Sequence, residues 1–155
     1  MATERLDDTD IRILRLLQRN ARLTIKEIGA EVHLSSTPIY ERLKRLEREG
    51  YIKRYVAVLD VGKLDRGFMV FCSIKLRQLS IERAKEFTDT IRQIPEVTEC
   101  YNISGRYDYL LKIHARNMKA YQEFILNVLG EIDSIGSIES TFVMDEVKHT
   151  FGINI

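Results

Sequence analysis

No stretch of this chain stays apolar for the roughly 20 residues needed to cross a bilayer, so no membrane-spanning helix is expected. Cysteine is scarce as well. Cys72 and Cys100 are the only two in 155 residues, they form no CxxC pair, and neither has a histidine at metal-ligand spacing. That argues against a zinc site or a disulfide framework and for two buried, reduced thiols within strands. The opening MATERLDDTD carries acids and no apolar run, so no export signal is expected and the expected location is cytoplasmic. An excess of one charge is missing too: 24 Lys and Arg stand against 23 Asp and Glu, a net +1, which is low for a nucleic-acid binder. What is present is 45% hydrophobic and 30% charged residues, enough for one or two small domains with cores of their own.

The charge is uneven, and its distribution says more than its sum. Residues 35–55 carry Arg42, Lys44, Arg45, Arg48, Lys53 and Arg54 against Glu41, Glu47 and Glu49, a local balance of +3. Within this stretch Thr37 suits an N-cap, Pro38 the first helical position and Gly50 the left-handed residue past the end, so a helix is expected over 38–49. Ile39, Leu43 and Leu46 repeat at helical spacing and form an apolar stripe, which leaves Thr37, Glu41, Lys44 and Arg48 on the opposite face. One face packs and the other is free to meet a groove.

Two helices are expected before it. Residues 6–22 start with Asp7 as N-cap and Asp10 three residues on, with Leu6 and Ile11 placed as a hydrophobic staple, so the acids Asp7, Asp8 and Asp10 serve the helix N-terminus. Thr24 and Glu27 form a capping box that opens a second helix running to about Val32. His33 then falls in a turn whose backbone tends toward positive φ. The order helix, helix, turn, helix is a helix-turn-helix. After Gly50, residues 51–59 are rich in β-formers and read as a strand or wing, where Lys53 and Arg54 suit flanking phosphates. Residues 60–67, DVGKLDRG, read as a linker.

From Phe68 the pattern changes. Phe68, Val70, Cys72, Ile74 and Leu76 alternate in a strand; Ser80 caps a helix carrying Ala84, Phe87, Ile91 and Ile94 until Pro95 stops it. Strands over 97–104 and 109–115 follow, then a helix from Asn117 with Met118, Tyr121, Ile125 and Val128 on one side, and a last strand over 137–148. The expected fold is therefore α+β: a winged helix-turn-helix domain over 1–59, a linker over 60–67, and a ferredoxin-like βαββαβ domain with an antiparallel sheet over 68–155. The sheet face that carries Met69 and Phe71 has no further element to cover it, so it is expected to pair with a second subunit.

With LDxxDxxIL, SSTPxxERLKRLEREGYI, SGRYDYLLK and FVMDEVK, the chain resembles the leucine-responsive and asparagine-operon regulator family (Lrp/AsnC), nearer its leucine-responsive branch. The resemblance covers about Leu6 to Lys148. It implies a regulator that binds double-stranded DNA and a small effector, usually an amino acid, and assembles as homodimers into octamers or related discs. Carried over by motif, Ser35, Ser36, Thr37, Tyr40, Glu41, Lys44, Arg45 and Arg48 face DNA, while Pro38 and Ile39 shape the helix and Arg42 is a structural ion-pair partner. The implied effector site centres on Gly105, Arg106, Tyr107 and Asp108, where backbone amides suit a carboxylate and Asp108 an ammonium; Ser140 and Thr141 would approach from a neighbouring dimer. The plainer reading is that Gly105 permits a tight hairpin and Asp108 bonds its own turn.

Two other functions fit the same outline. Sirohaem decarboxylases resemble this architecture, but they hold a large anionic tetrapyrrole with His and Arg groups, and here His33, His114 and His149 are scattered. A DNA-packaging protein without a sensor would bind tightly regardless of sequence, which a +3 patch does not favour. No catalytic residue, metal ligand or cofactor beyond an amino-acid effector is expected.

Overall fold

A computed structural model describes residues 5–155; the first four residues, which the sequence assigns to the DNA-binding domain, lie outside the described residues. The chain folds as two compact units, residues through Val58 together with Val147–Ile155, and Leu59–Glu146. The segment 147–155, expected within the second domain, thus packs with the first.

The first unit holds α1 (Asp8–Arg19), α2 (Ile25–Val32) and α3 (Ser36–Arg48). Both capping boxes form: Asp7 with Asp10, and Thr24 with Glu27. Apolar side chains from all three helices meet in one core of Ile13, Ile28, Val32, Ile39 and Leu46, with Leu6, Leu23, Leu43 and Ile52 packed around it. The turn after α2 is tight. His33 sits at φ +60°, and the Leu34 N–H reaches back to the Gly29 carbonyl at 2.9 Å. Gly29 is required there, because a Cβ at this position would stand 2.5 Å from the Leu34 carbonyl oxygen.

Three boundaries in this unit differ from expectation. α3 starts at Ser36 after Ser35, not at Pro38 after Thr37. The first four N–H groups of any helix lack an internal partner, so proline fits the third position as well as the first. α1 stops at Arg19 because the Asn20 side chain accepts the Arg22 N–H at 3.0 Å and closes a turn that competes with the helix. The segment expected as a wing strand has no regular structure over 53–60: among the described residues no strand pairs with it, and an unpaired strand has no ladder to hold it. The expected linker is a turn in its own right, closed by Arg66 N–H to the Val61 carbonyl at 2.8 Å.

The second unit holds β1 (Phe68–Leu76), α4 (Ile81–Ile91), β2 (Val97–Asn102), β3 (Tyr109–Ala115), α5 (Met118–Asn127) and β4 (Ile135–Phe142). The strands form one antiparallel sheet in the order β2-β3-β1-β4, the ferredoxin-like arrangement. Alternate residues Val70, Cys72, Ile74 and Leu76 of β1 and Tyr109, Leu111, Ile113 and Ala115 of β3 meet Phe87 and Ile91 of α4 and Tyr121 and Phe124 of α5. Met118 is exposed, so the inward face of α5 is centred on Tyr121 and Phe124 instead. Cys72 is buried as expected, while Cys100, on the outer strand of the sheet, is exposed. β4 ends at Phe142, since β1 begins at Phe68 and offers nothing further to pair with after the Val143 N–H bonds the Met69 carbonyl. Met69, Phe71, Leu110 and His114 lie on the sheet face away from the helices, each half-buried.

Candidate nucleic-acid interface and effector site

α3 presents two chemically different surfaces. Ile39 and Leu46 are fully buried. Ser35, Ser36, Thr37, Tyr40, Glu41, Lys44 and Arg48 are exposed, and together they make a polar strip along the other side. Lys44 meets the Glu47 carboxylate at 3.2 Å and lies 5.8 Å from the centre of the Tyr40 ring, while Arg48 stands 3.9 Å from Glu49. Ion pairs this exposed are weak, so both cations can exchange their carboxylates for phosphate. Lys53 and Arg54 are exposed in the irregular segment that follows.

Arg45 is the exception among the residues expected to face DNA. Its guanidinium turns inward and pairs with Asp10, which has no solvent exposure at all. Arg42 joins the same carboxylate at 2.7 Å and also reaches Asp7 at 2.7 Å, as expected of a structural ion-pair partner. Asp10 further accepts the Asp7 N–H at 3.1 Å. A buried carboxylate is tolerated only when it is paired and hydrogen-bonded, and two arginines from one helix satisfy it here. The result locks α3 to the start of α1. The Asp10 amide, and after it Arg42, hold the Asp7 carboxyl below its ordinary range against the opposing effect of burial. The sequence accounted for Asp10 as a helix cap alone; the i, i+3 spacing of Arg42 and Arg45 on the flank of the apolar stripe was the signal that it has partners elsewhere.

In the second unit the turn between β2 and β3 is pinned from below. Asp108 is buried, its Oδ1 taking the Lys75 ammonium at 2.9 Å and its Oδ2 the Leu76 N–H at 2.8 Å. It therefore bonds β1 and not its own turn, and each of its oxygens already accepts one bond. Burial acts to raise the Asp108 pKa, but the Lys75 ammonium and the Leu76 amide outweigh it and hold the carboxyl below its usual value. Above this anchor Gly105 adopts φ +119°, and the backbone N–H groups of Gly105, Arg106 and Tyr107 have no hydrogen-bond partner among the described residues. The Arg106 guanidinium lies 5.3 Å from the centre of the Tyr107 ring, and the Tyr107 hydroxyl donates to Glu139 of β4 at 2.7 Å. Lys75, Tyr107 and Glu139 thus link the turn to β1 and β4, contacts that sequence spacing gave no means of finding.

The two β4 candidates part company. Thr141 is exposed and pairs with Phe71 on the sheet face away from the helices. Ser140 pairs with Cys72 on the other face, and its Oγ bonds the Tyr121 hydroxyl at 2.5 Å, which in turn meets the Cys72 sulfur at 2.8 Å. Side chains alternate along a strand, so these neighbours cannot share a surface, and Ser140 belongs to the core. Burial raises both the Cys72 thiol and the Tyr121 phenol, so both remain protonated.

A helix-turn-helix with an exposed polar third helix, joined in one chain to a βαββαβ unit, is the architecture of a DNA-binding regulator with a second, separate domain. Residues 6–53 match the family model described as winged helix-turn-helix DNA-binding, and residues 69–153 match the Lrp/AsnC ligand binding domain. The chain belongs to the Lrp/AsnC family of transcriptional regulators. Among curated relatives, the leucine-responsive regulatory protein of Escherichia coli K12 is 35% identical over 94% of this chain and 88% of its own length. The DNA-binding transcriptional activator DecR of the same strain is 33% identical over 97% of this chain and 99% of its own. Among solved structures, a transcriptional regulator of Neisseria meningitidis in complex with L-Met superposes with a TM-score of 0.93 at 35% identity, covering 97% of each chain. Escherichia coli AsnC superposes with a TM-score of 0.86 at 25% identity, covering 94% of this chain and 97% of its own. These relatives are regulators, and the chain is a regulator and not an enzyme. No helix among the described residues is long and apolar enough to cross a membrane.

Proposed function

We propose that this regulator senses an amino acid through the turn of Gly105, Arg106 and Tyr107, and that occupancy of that turn changes how α3 meets double-stranded DNA. The observation that carries the reading is the set of backbone N–H groups at this turn without a partner among the described residues, next in the chain to the buried Asp108 carboxylate. Amides arranged this way suit the carboxylate of a zwitterion. Its ammonium reaches Asp108 by displacing Lys75, whose side chain is 45% exposed and already marks where an ammonium sits. Thr141 would complete the site from a neighbouring copy. The L-Met complex of the Neisseria relative supports an amino-acid ligand. On the DNA side, Ser35, Ser36, Thr37, Tyr40, Glu41, Lys44 and Arg48 are proposed to enter the major groove, with Lys53 and Arg54 on flanking phosphates.

Calorimetric titration with L-methionine and then each other amino acid tests the sensor. Asp108→Asn is expected to weaken binding by about tenfold or more, the loss of a charge-assisted bond. Lys75→Met is expected to tighten it, because the competing ammonium is gone. Weakening in both variants would mean that the Lys75–Asp108 pair only supports the turn. Unchanged binding in Asp108→Asn would remove the residue from the site.

The outer face of the sheet, with Met69, Phe71 and Leu110, is proposed as the contact between two copies, and dimers built on it as the units of an octamer. Several reading heads then share one duplex, which offsets the modest charge of each.

A further inference from the structure

The chain passes between its two units twice, at Val58/Leu59 and again at Glu146/Val147. The second passage ends in a segment held by specific bonds to α1. Gln18, on the exposed side of α1, meets the backbone of Ile153 at two points: its Nε2 donates to the Ile153 carbonyl at 3.2 Å, and its Oε1 accepts the Ile153 N–H at 2.5 Å. A primary amide carries a donor and an acceptor side by side, as a neighbouring strand does, so Gln18 acts toward Ile153 as a short length of β-ladder. One turn earlier Arg15 grips the Ile155 carbonyl, with Nε at 2.7 Å and Nη2 alongside it.

The two spacings match. Residues three apart are neighbours on a helix face, and carbonyls two apart in an extended segment point the same way. Gly152 lets the segment lie close, since an added Cβ would come within 3.0 Å of Gln18 Oε1. Phe151 lines the same apolar groove as Leu14, Leu17, Tyr55 and Val56. The helix so gripped also carries Asp7 and Asp10, which hold Arg42 and Arg45 of the recognition helix. A continuous set of bonds therefore runs from the tail through α1 to α3.

We propose that the Arg15–Gln18 face of α1 is a clamp for residues 151–155, and that this clamp couples the effector-binding unit to the recognition helix, so that occupancy of the effector site changes DNA affinity through it. The coupling rests on the effector reading given above.

Full-length Arg15→Ala and Gln18→Ala remove the clamp from the helix side at exposed positions where alanine favours the helix. Ile153→Pro deletes the single tail N–H that Gln18 accepts. Hydrogen exchange is expected to show the Ile153 amide protected in the unmodified chain and fast in Gln18→Ala. Each variant should keep DNA affinity without effector, and should bind the amino acid, within about twofold of the unmodified chain. The change in DNA affinity on adding that amino acid should fall from the roughly 5–150-fold of ordinary allosteric coupling to under about twofold. An Ile153 amide that exchanges equally fast in the unmodified chain and Gln18→Ala would overturn the clamp. Full effector responses in all three variants, with the unmodified chain responding, would overturn the coupling alone. If no amino acid shifts the DNA affinity of the unmodified chain, the effector reading falls and takes the coupling with it.

Discussion

Four cations on α3 carry the same formal charge and do different work, and burial separates them. Lys44 and Arg48 have side chains 55% and 72% exposed, whereas those of Arg42 and Arg45 are 27% and 19% exposed and converge on Asp10. Lys44→Ala and Arg48→Ala are expected to leave unfolding free energy within about 0.5 kcal/mol and to weaken DNA binding, each lowering the slope of log affinity against log salt by about 1. Arg45→Ala should instead cost roughly 1.5–3 kcal/mol of stability, and Asp10→Ala about 3–5 kcal/mol, because it strands two guanidiniums. Urea unfolding and DNA titration across salt concentrations measure both. A salt slope that drops for Arg45→Ala with stability unchanged would return that residue to the interface. The family motif puts Arg45 among the DNA-facing residues, and no local pattern shows a carboxylate arriving from 35 residues away.

At the scale of elements, what was legible in the sequence was local. The helix starts at Asp7 and Thr24, the left-handed His33 and Gly50, and the Ser80 cap each depend on a few adjacent residues, and each is present. What was not legible depends on partners distant in sequence. The segment after Gly50 has the composition of a strand, but no strand pairs with it among the described residues; β4 ends where β1 ceases to face it; Ser140 turns inward because the register sets it opposite Cys72. Asp108 belongs to this second kind, and its bonds give it a pH signature. Its folded pKa lies below the unfolded value of about 3.9, so its contribution is complete above that pH and is lost as pH falls through the folded value. Asp108→Asn should flatten the acid limb of the stability curve below about pH 4 and leave its neutral limb parallel to that of the unmodified chain. An acid limb equally steep in both would show that the Lys75–Asp108 bond contributes nothing to the fold.

Across the whole molecule, the net charge of +1 and the local +3 patch fit the proposed reading in which several copies share one duplex, with the outer sheet face as the proposed contact. Phe71→Asp puts a charge at the centre of the proposed contact between copies and is expected to lower the mass in solution from that of an octamer toward that of a monomer, with the helix-turn-helix still folded. An unchanged mass would move the contact elsewhere. The most direct test of the whole account is fluorescence anisotropy on duplex DNA from upstream of the chain's own gene, titrated with and without each amino acid. Saturable binding is expected that at least one amino acid shifts by about fivefold or more, with both the binding and the shift absent when Lys44 and Arg48 are alanine. Binding indifferent to all twenty amino acids, or equally tight in that double variant, would contradict it.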